Sequence, residues 1–242
     1  MIESPCLDTT RTAYDTVAAE YSALFRTALD ARPLDRAMHA AFAEFVRAAD
    51  AGPVADLGCG PGHGTAHLHS LGVPVFGVDL SPTMITLARE TYPDLRFDEG
   101  SMTALDLRDG TLGGVLSWYS VIHTPPELLP TVFAEFHRVL APGGYLLLGF
   151  FSHDEPEHPA EPLPFDHKVT LAYRWPPGRI TDLVRRAGLE VTAWMVREPE
   201  EGERFLHARL LFRKPSEPTE PTEPTEPTEP TEPAEPTEPI ES

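Results

Sequence analysis

Cysteine is scarce: the 242 residues hold two, Cys6 and Cys59. Two cysteines make no disulfide framework. Cys59 also sits inside a glycine-rich stretch, where a bridge to the N-terminal segment would obstruct any ligand. Long apolar runs are missing too. None approaches the ~18 residues of a membrane span, and the first residues lack the basic-then-apolar pattern of a secretory signal. Positive charge is in short supply, with 19 Lys and Arg against 38 Asp and Glu and a net charge of −19. Nine of those acids lie in a Glu-Pro-Thr repeat from residue 215 onward, and setting them aside still leaves the body near −10. Such a surface repels phosphate backbones, whereas nucleic-acid binders show a basic footprint. These shortages point to a soluble cytoplasmic protein with neither a nucleic-acid nor a membrane partner.

What is present is organised around Val54-Ala55-Asp56-Leu57-Gly58-Cys59-Gly60-Pro61-Gly62-His63-Gly64. The apolar run from Val54 to Leu57 reads as a buried strand, the alternate glycines as a turn, and Thr65 to Leu68 as the opening of a helix. Glycine accepts positive φ and lets a ligand approach the backbone with no Cβ in the way. A strand feeding through such a turn into a helix N-terminus makes a nucleotide-type cradle. Asp79 ends the next apolar run, 21 residues beyond Gly58. That is close to the ~20-residue offset at which a doubly wound fold presents an acid to a ribose.

Two cofactors fit such a cradle. A dinucleotide fingerprint spaces its glycines G-x-G-x-x-G. Here the spacing is G-x-G-x-G, with Asp56 two residues before the first glycine. An acid there suits the ammonium of an amino-acid-bearing nucleoside and is unhelpful beside a pyrophosphate. The segment resembles motif I of the class I S-adenosylmethionine-dependent methyltransferases, and Val78-Asp79-Leu80-Ser81 resembles their motif II.

From residue 54 strands and helices alternate: strand 75–79, a helix opening at Ser81-Pro82, a short strand near 95–97, and strand 115–118. A helix about 133–140, stopped by Ala141-Pro142-Gly143-Gly144, precedes strand 145–151. Helix 179–187 and strands 191–196 and 206–212 complete the order. Serine is a good N-cap and proline a good first helical residue. The run Arg138-Val139-Leu140-Ala141-Pro142-Gly143-Gly144 followed by an apolar strand resembles the segment after motif IV in the same superfamily. The resemblance covers roughly residues 12–214. It implies an α/β, Rossmann-like, doubly wound sheet of seven strands, mostly parallel with the last antiparallel. The expected organisation is an N-terminal helical lid over 1–50, a core over 51–214 with a cover insertion at about 152–178, and a disordered tail over 215–242. That tail has Pro every third residue and no apolar anchor before Ile240, so it cannot bury a core. It is a solubilising segment or the ligand of a weak partner.

The resemblance also implies site residues. Asp56, Gly58, Cys59, Gly60 and Gly62 would hold the methionine part of S-adenosyl-L-methionine. Asp79 with Leu80 and Met84 would take the ribose side. Gly100, Ser101 and Met102 would meet the adenine, although Ser101 stands where the family usually has an acid. Tyr14-Asp15-Thr16-Val17-Ala18-Ala19-Glu20-Tyr21 resembles the family's tyrosine-bearing lid, so Tyr14 would close on the cofactor. Tyr21 would close beside it, towards the acceptor; the plainer alternative is core packing of both tyrosines. Ligands bind beyond the carboxyl ends of strands in an open α/β sheet, so 118–123 should form one wall. Trp118 would touch the cofactor and Tyr119 the acceptor. His123 is the candidate base, or else a structural histidine bonded to the loop after it. His153 and His167 in the cover are candidate substrate contacts.

No metal site is expected: His153, His158 and the nearby acids match no ligand spacing. The expected activity is methyl transfer from S-adenosylmethionine to a hydroxyl or amine of a small molecule such as a secondary metabolite. The alternatives are a protein that binds the nucleoside without turnover and an NAD-dependent oxidoreductase.

Overall fold

The computed structural model describes residues 5–216; the expected acidic tail lies outside them from residue 217. Two helices come first, α1 (Pro5–Phe25) and α2 (Pro33–Ala49). Then β1 (Val54–Leu57), α3 (His63–Ser70), β2 (Val75–Asp79), α4 (Pro82–Thr91) and β3 (Phe97–Glu99) alternate. They are followed by β4 (Leu112–Trp118), α5 (Leu129–Val139) and β5 (Leu140–Ser152). The chain closes with a hairpin of β6 (Leu163–Asp166) and β7 (Leu171–Arg174), then α6 (Pro177–Arg186), β8 (Glu190–Arg197) and β9 (Leu206–Arg213).

Seven strands form one sheet in the order β3-β2-β1-β4-β5-β9-β8. Only β9 runs against its neighbours, pairing antiparallel with both β5 and β8. This is the doubly wound, Rossmann-like arrangement expected. Strand alternation builds two core layers, because successive side chains leave opposite faces of a sheet. Ala55, Leu57, Val115, Leu146, Leu148, Leu210 and Phe212 pack with Phe133 and Phe136 of α5 and Ile180 of α6. Val54, Leu116, Leu147 and Leu211 pack on the other face with Phe42 and Val46 of α2 and Leu68 of α3. A Cβ on Gly114 would meet the Phe42 ring at 2.8 Å, so glycine there lets α2 lie close on β4.

Three expectations need correction. The third strand begins at Phe97 and not at Leu95, where the carbonyl of Arg96 already accepts from Gly77 N. Ala141 to Gly144 do not separate α5 from β5: the strand starts at Leu140, which pairs with Leu112, and Gly143 takes φ +83° within it. The cover at 152–178, expected from its prolines to be a long irregular insertion, contains regular structure, since β6 and β7 form an antiparallel hairpin within it.

The order of the strands reverses between β1 and β4, and ligands in open α/β sheets bind at that switch point. The helix α1 lies across it. Asp15 Oδ1 accepts from Ser81 Oγ at 2.5 Å and from Thr83 N at 3.2 Å, so α1 caps the start of α4. His63 donates from Nε2 to the Ser22 carbonyl and accepts on Nδ1 from the Tyr92 hydroxyl. The N-terminal helix is thereby fastened to the nucleotide half of the sheet at two points.

Candidate active site

The carboxyl ends of β1, β2 and β4 and the inner face of α1 enclose a cavity of about 800 Å³, counting its open mouth. The glycine loop forms its floor. Gly58, Gly60 and Gly62 all take positive φ, and a Cβ on Gly58 would lie 2.2 Å from Ser120 Cβ. Loop and β4 therefore meet at a spacing that only glycine permits. Ser120 Oγ donates to the Leu57 carbonyl at 2.7 Å and holds the two elements in that register.

Asp79 lines the cavity. Its Oδ2 accepts from Gly60 N and its Oδ1 from Ser81 N, each at 2.8 Å. These bonds fix the carboxylate while leaving lone pairs for a ligand's hydroxyls. Burial raises its pKa, and the N–H donors oppose that rise. Leu80, Gly100, Ser101 and Met102 line the same cavity, as do Trp118 and, from α1, Tyr14 and Tyr21. Both tyrosine phenols are pushed up by burial, Tyr21 to about 12.

Several expected contacts lie elsewhere. Asp56 is 2% exposed and sits beneath the loop, where its Oδ2 accepts from Thr65 Oγ1 at 2.7 Å. Burial raises it to about 7. Cys59 turns its thiol down into the small cluster of Ile85, Ala88 and Phe97, and burial pushes that thiol well up. A Cβ on Gly62 would strike the Phe97 ring, so this glycine serves packing of the turn on its underside. Met84 is buried in α4. His153 is 2% exposed and donates from Nε2 to the Glu161 carbonyl, within the cover and away from the cavity. His167 stands behind His123, ring centroids 4.9 Å apart. These six do not line the cavity.

His123 does, but both its nitrogens are engaged. Nδ1 lies 3.0 Å from the Leu171 carbonyl, which can only accept, so Nδ1 carries the proton. Nε2 is then the acceptor for the Tyr14 hydroxyl at 2.7 Å. Burial lowers its pKa to about 4 and keeps the ring neutral.

Tyr119, which the sequence singled out as an acceptor contact, lines the cavity and is backed by residues that it did not single out: His207, Arg209, Asp35 and Glu203. Tyr119 takes φ +56°, a left-handed backbone that is costly for a bulky side chain. Its N–H donates to the Gly149 carbonyl at 2.7 Å. Its hydroxyl accepts from Arg209 Nη2 at 2.6 Å and is hydrogen-bonded to His207 Nδ1. Arg209 is fully buried, forks onto both carboxylate oxygens of Asp35 and lies over the Trp118 and Tyr119 rings. His207 Nε2 lies 3.2 Å from Glu203 Oε2, at an angle short of a full hydrogen bond. Two bonds from Arg197 hold Glu203 ionised at about 2. The signal was visible in β9, where His207 and Arg209 interrupt an otherwise apolar strand. Among the described residues no group of three or more His, Cys, Asp or Glu is placed to hold a metal.

Comparison with known proteins places this geometry. Residues 54–144 match the family described as a methyltransferase domain. Trans-aconitate 2-methyltransferase of Rhizobium meliloti is 36% identical over 111 residues, 45% of this chain and 42% of that protein. Demethylmenaquinone methyltransferase of Chlorobaculum parvum is 36% identical over 92 residues, 38% and 37% of the two chains. The chain thus spans less than half the length of these curated relatives. A SAM-dependent methyltransferase structure from Methanosarcina mazei aligns over 68% of this chain and 93% of its own, with a TM-score of 0.60 at 20% identity. The 1,6-didemethyltoxoflavin-N1-methyltransferase of Burkholderia thailandensis, solved with bound 1,6-didemethyltoxoflavin and S-adenosylhomocysteine, aligns over 82% of this chain and 90% of its own, with a TM-score of 0.58 at 23% identity. Residues 54–144 thus match a methyltransferase domain, and the seven-strand order with its glycine loop is the fold of the S-adenosylmethionine-dependent methyltransferase structures.

Proposed function

We propose that the protein is an S-adenosylmethionine-dependent methyltransferase that moves a methyl group to a hydroxyl or amine of a small molecule, such as a secondary metabolite. The observation that carries this reading is the closure of Tyr14 and Tyr21 over the same cavity that holds the Asp79 carboxylate and the open backbone of Gly60. A Cβ on Gly60 would meet nothing within 4 Å, which leaves room for a ligand against the loop. The nucleoside, when bound, supplies a methyl group on a positively charged sulfur.

In this reading Asp79 takes the ribose hydroxyls, and Gly58, Gly60 and Leu80 supply backbone contacts. Gly100, Ser101 and Met102 border the adenine, and Trp118 closes the far side. Asp56 acts from beneath, shaping the loop through Thr65 and lowering the potential under the ligand's ammonium. The lid is α1, whereas α2, packed on the sheet through Phe42 and Val46, belongs with the core over 51–214. His123 latches the lid through Tyr14 and is free to act as a base only when Tyr14 moves off it. The acidic body fits a cytoplasmic enzyme with a discrete small acceptor and no nucleic-acid partner, the repeat tail serving as a solubiliser or the ligand of a weak partner.

The test is calorimetric and thermal-shift binding of S-adenosylmethionine, S-adenosylhomocysteine and NAD to wild type and Asp79→Ala. Binding of the two sulfur nucleosides alone, weakened about 10²-fold in Asp79→Ala by the loss of charged hydrogen bonds, is the expected result. Binding of NAD instead would make the protein an oxidoreductase. Binding without methyl transfer to any acceptor would make it a carrier of the nucleoside.

A further inference from the structure

The lining of the cavity contains a second candidate for removing a proton, Tyr119. Tyr119 Oη receives a hydrogen bond from Arg209 Nη2. His207 Nε2 faces the Glu203 carboxylate at 3.2 Å, and the tautomer with its proton on Nε2, toward that charge, leaves Nδ1 bare. In that tautomer the Tyr119 hydroxyl donates to His207 Nδ1. One lone pair on Tyr119 Oη remains unassigned, on a residue that lines the cavity. Tyr14, Tyr21 and Trp118 supply three more aromatic side chains to the lining, together with Met102 and Val132. Such walls favour a flat ring.

We propose that the acceptor is an aromatic hydroxyl and that Tyr119 takes its proton, passing its own to His207. The proposal rests on the methyltransferase reading above. As the acceptor oxygen gains its O–CH₃ bond it loses its O–H bond to Tyr119 Oη, while Tyr119 gives its hydrogen to His207 Nδ1. The sulfur keeps the electron pair of the broken C–S bond. One positive charge is lost there and one appears on the His207 imidazolium, facing Glu203. Arg209 stabilises negative charge building on Tyr119 Oη in the act. It is a positioning residue, held in place by Asp35. The charged groups around His207 are Glu203, which favours its protonation, and Arg197, Arg209 and Arg32, which oppose it. Burial first, and those three cations with it, oppose a lasting charge on the ring. The left-handed backbone of Tyr119 fits this role, because strain of that kind persists where the surroundings over-determine a functional side chain.

The experiment uses the full chain. Calorimetry with S-adenosylhomocysteine comes first. A wild type that does not bind it refutes the methyltransferase reading itself, whereas Tyr119→Phe and His207→Phe that bind it as wild type does are folded and suited to the test. With the nucleoside bound, 4-fluorophenol is titrated by ¹⁹F NMR. Methyl transfer to 4-fluorophenol and to thiophenol is then followed by mass spectrometry across pH 6–9. Thiophenol ionises in water near neutral pH and needs no base. Tyr119→Phe should weaken 4-fluorophenol binding about 3- to 10-fold, the worth of one hydrogen bond. It should lower kcat for the hydroxyl probe about 10²-fold and leave thiophenol transfer within a few fold. His207→Phe should reproduce the hydroxyl-specific loss in kcat with little change in KM. Equal losses on both probes, undiminished transfer to 4-fluorophenol, or a nucleoside-binding wild type that neither binds nor methylates 4-fluorophenol would overturn the proposal.

Discussion

Tyr14 of the first helix donates its hydroxyl to His123 Nε2, 109 residues further along the chain, at 2.7 Å. His123 in turn donates from Nδ1 to the Leu171 carbonyl of the cover hairpin. One imidazole thus ties together the lid, the end of β4 and the cover.

Loss of that tie should show in ligand exchange. Tyr14→Phe keeps the ring but removes the donor, and His123→Phe removes the acceptor. Each should speed S-adenosylhomocysteine dissociation about 3- to 10-fold, the worth of a single hydrogen bond, as read by stopped-flow fluorescence of Trp118. The double variant should do little more than either single one, because both remove the same contact. Fully additive effects would mean that the two residues act separately.

Asp56 gives a prediction of opposite sign to the usual carboxylate. Burial raises it from 3.8 to about 7, so the folded state holds the proton more tightly than the unfolded chain. Stability from this group is full below about pH 4 and is lost as pH rises through 7. Asp56→Asn keeps an acceptor for Thr65 and removes the buried charge. In the absence of nucleoside it should melt higher than wild type at pH 8, by up to about 4 kcal/mol, with the gap closing towards pH 4. Thermal melts across that range decide it, and a variant less stable at pH 8 would contradict the account.

The buried fork between Arg209 and Asp35 is a separate case. Removing one partner of a buried ion pair leaves the other uncompensated, at a cost of about 3–5 kcal/mol. Asp35→Ala should lose about that much in urea denaturation, whereas replacing both residues by apolar ones of similar volume should cost less than Asp35→Ala alone. Because Arg209 also bears on the Trp118 and Tyr119 rings, Asp35→Ala should also alter the Trp118 emission.

Acid sensitivity should come from buried neutral histidines. His39 is fully buried with neither ring nitrogen hydrogen-bonded, wedged against Trp118, and burial lowers it to about 3. Its folded pKa lies below its unfolded one, so stability is full above about pH 6.5 and falls as the solution is acidified. His39→Phe should be nearly neutral at pH 7.5 and more stable than wild type at pH 4 by about 2–3 kcal/mol. Equilibrium unfolding at the two pH values is the check.

The local units were legible in the sequence because their signals are local. Strand 75–79, the Ser81-Pro82 helix start and the strand-turn-helix around Gly58 to Gly64 each follow from neighbours along the chain: apolar runs, a capping hydroxyl and glycines at positive φ. The seven-strand sheet followed from the order of these units together with the resemblance they carry. Asp79 was reachable because its offset from Gly58 is itself a sequence distance.

What tertiary structure alone decided is which side of each element faces the cavity. Asp56 near the end of β1 bonds Thr65 beneath the glycine loop, Cys59 turns its thiol into the cluster around Phe97, and Gly62 packs on that ring; these orientations depend on which element packs below the turn. His123 stands on the rim as its position after β4 implied. Nothing in the sequence revealed that Tyr14 and Leu171, from two distant elements, would occupy both its nitrogens. The group of Tyr119, His207, Arg209, Asp35 and Glu203 draws on three separate stretches of chain. Their conjunction depends on β9 inserting between β5 and β8 and on α2 lying against the sheet. The sequence determined the elements and the ribose-facing acid; long-range packing determined which side chains meet, since charge neutralisation and hydrogen bonding in the interior are settled only once the strands are side by side.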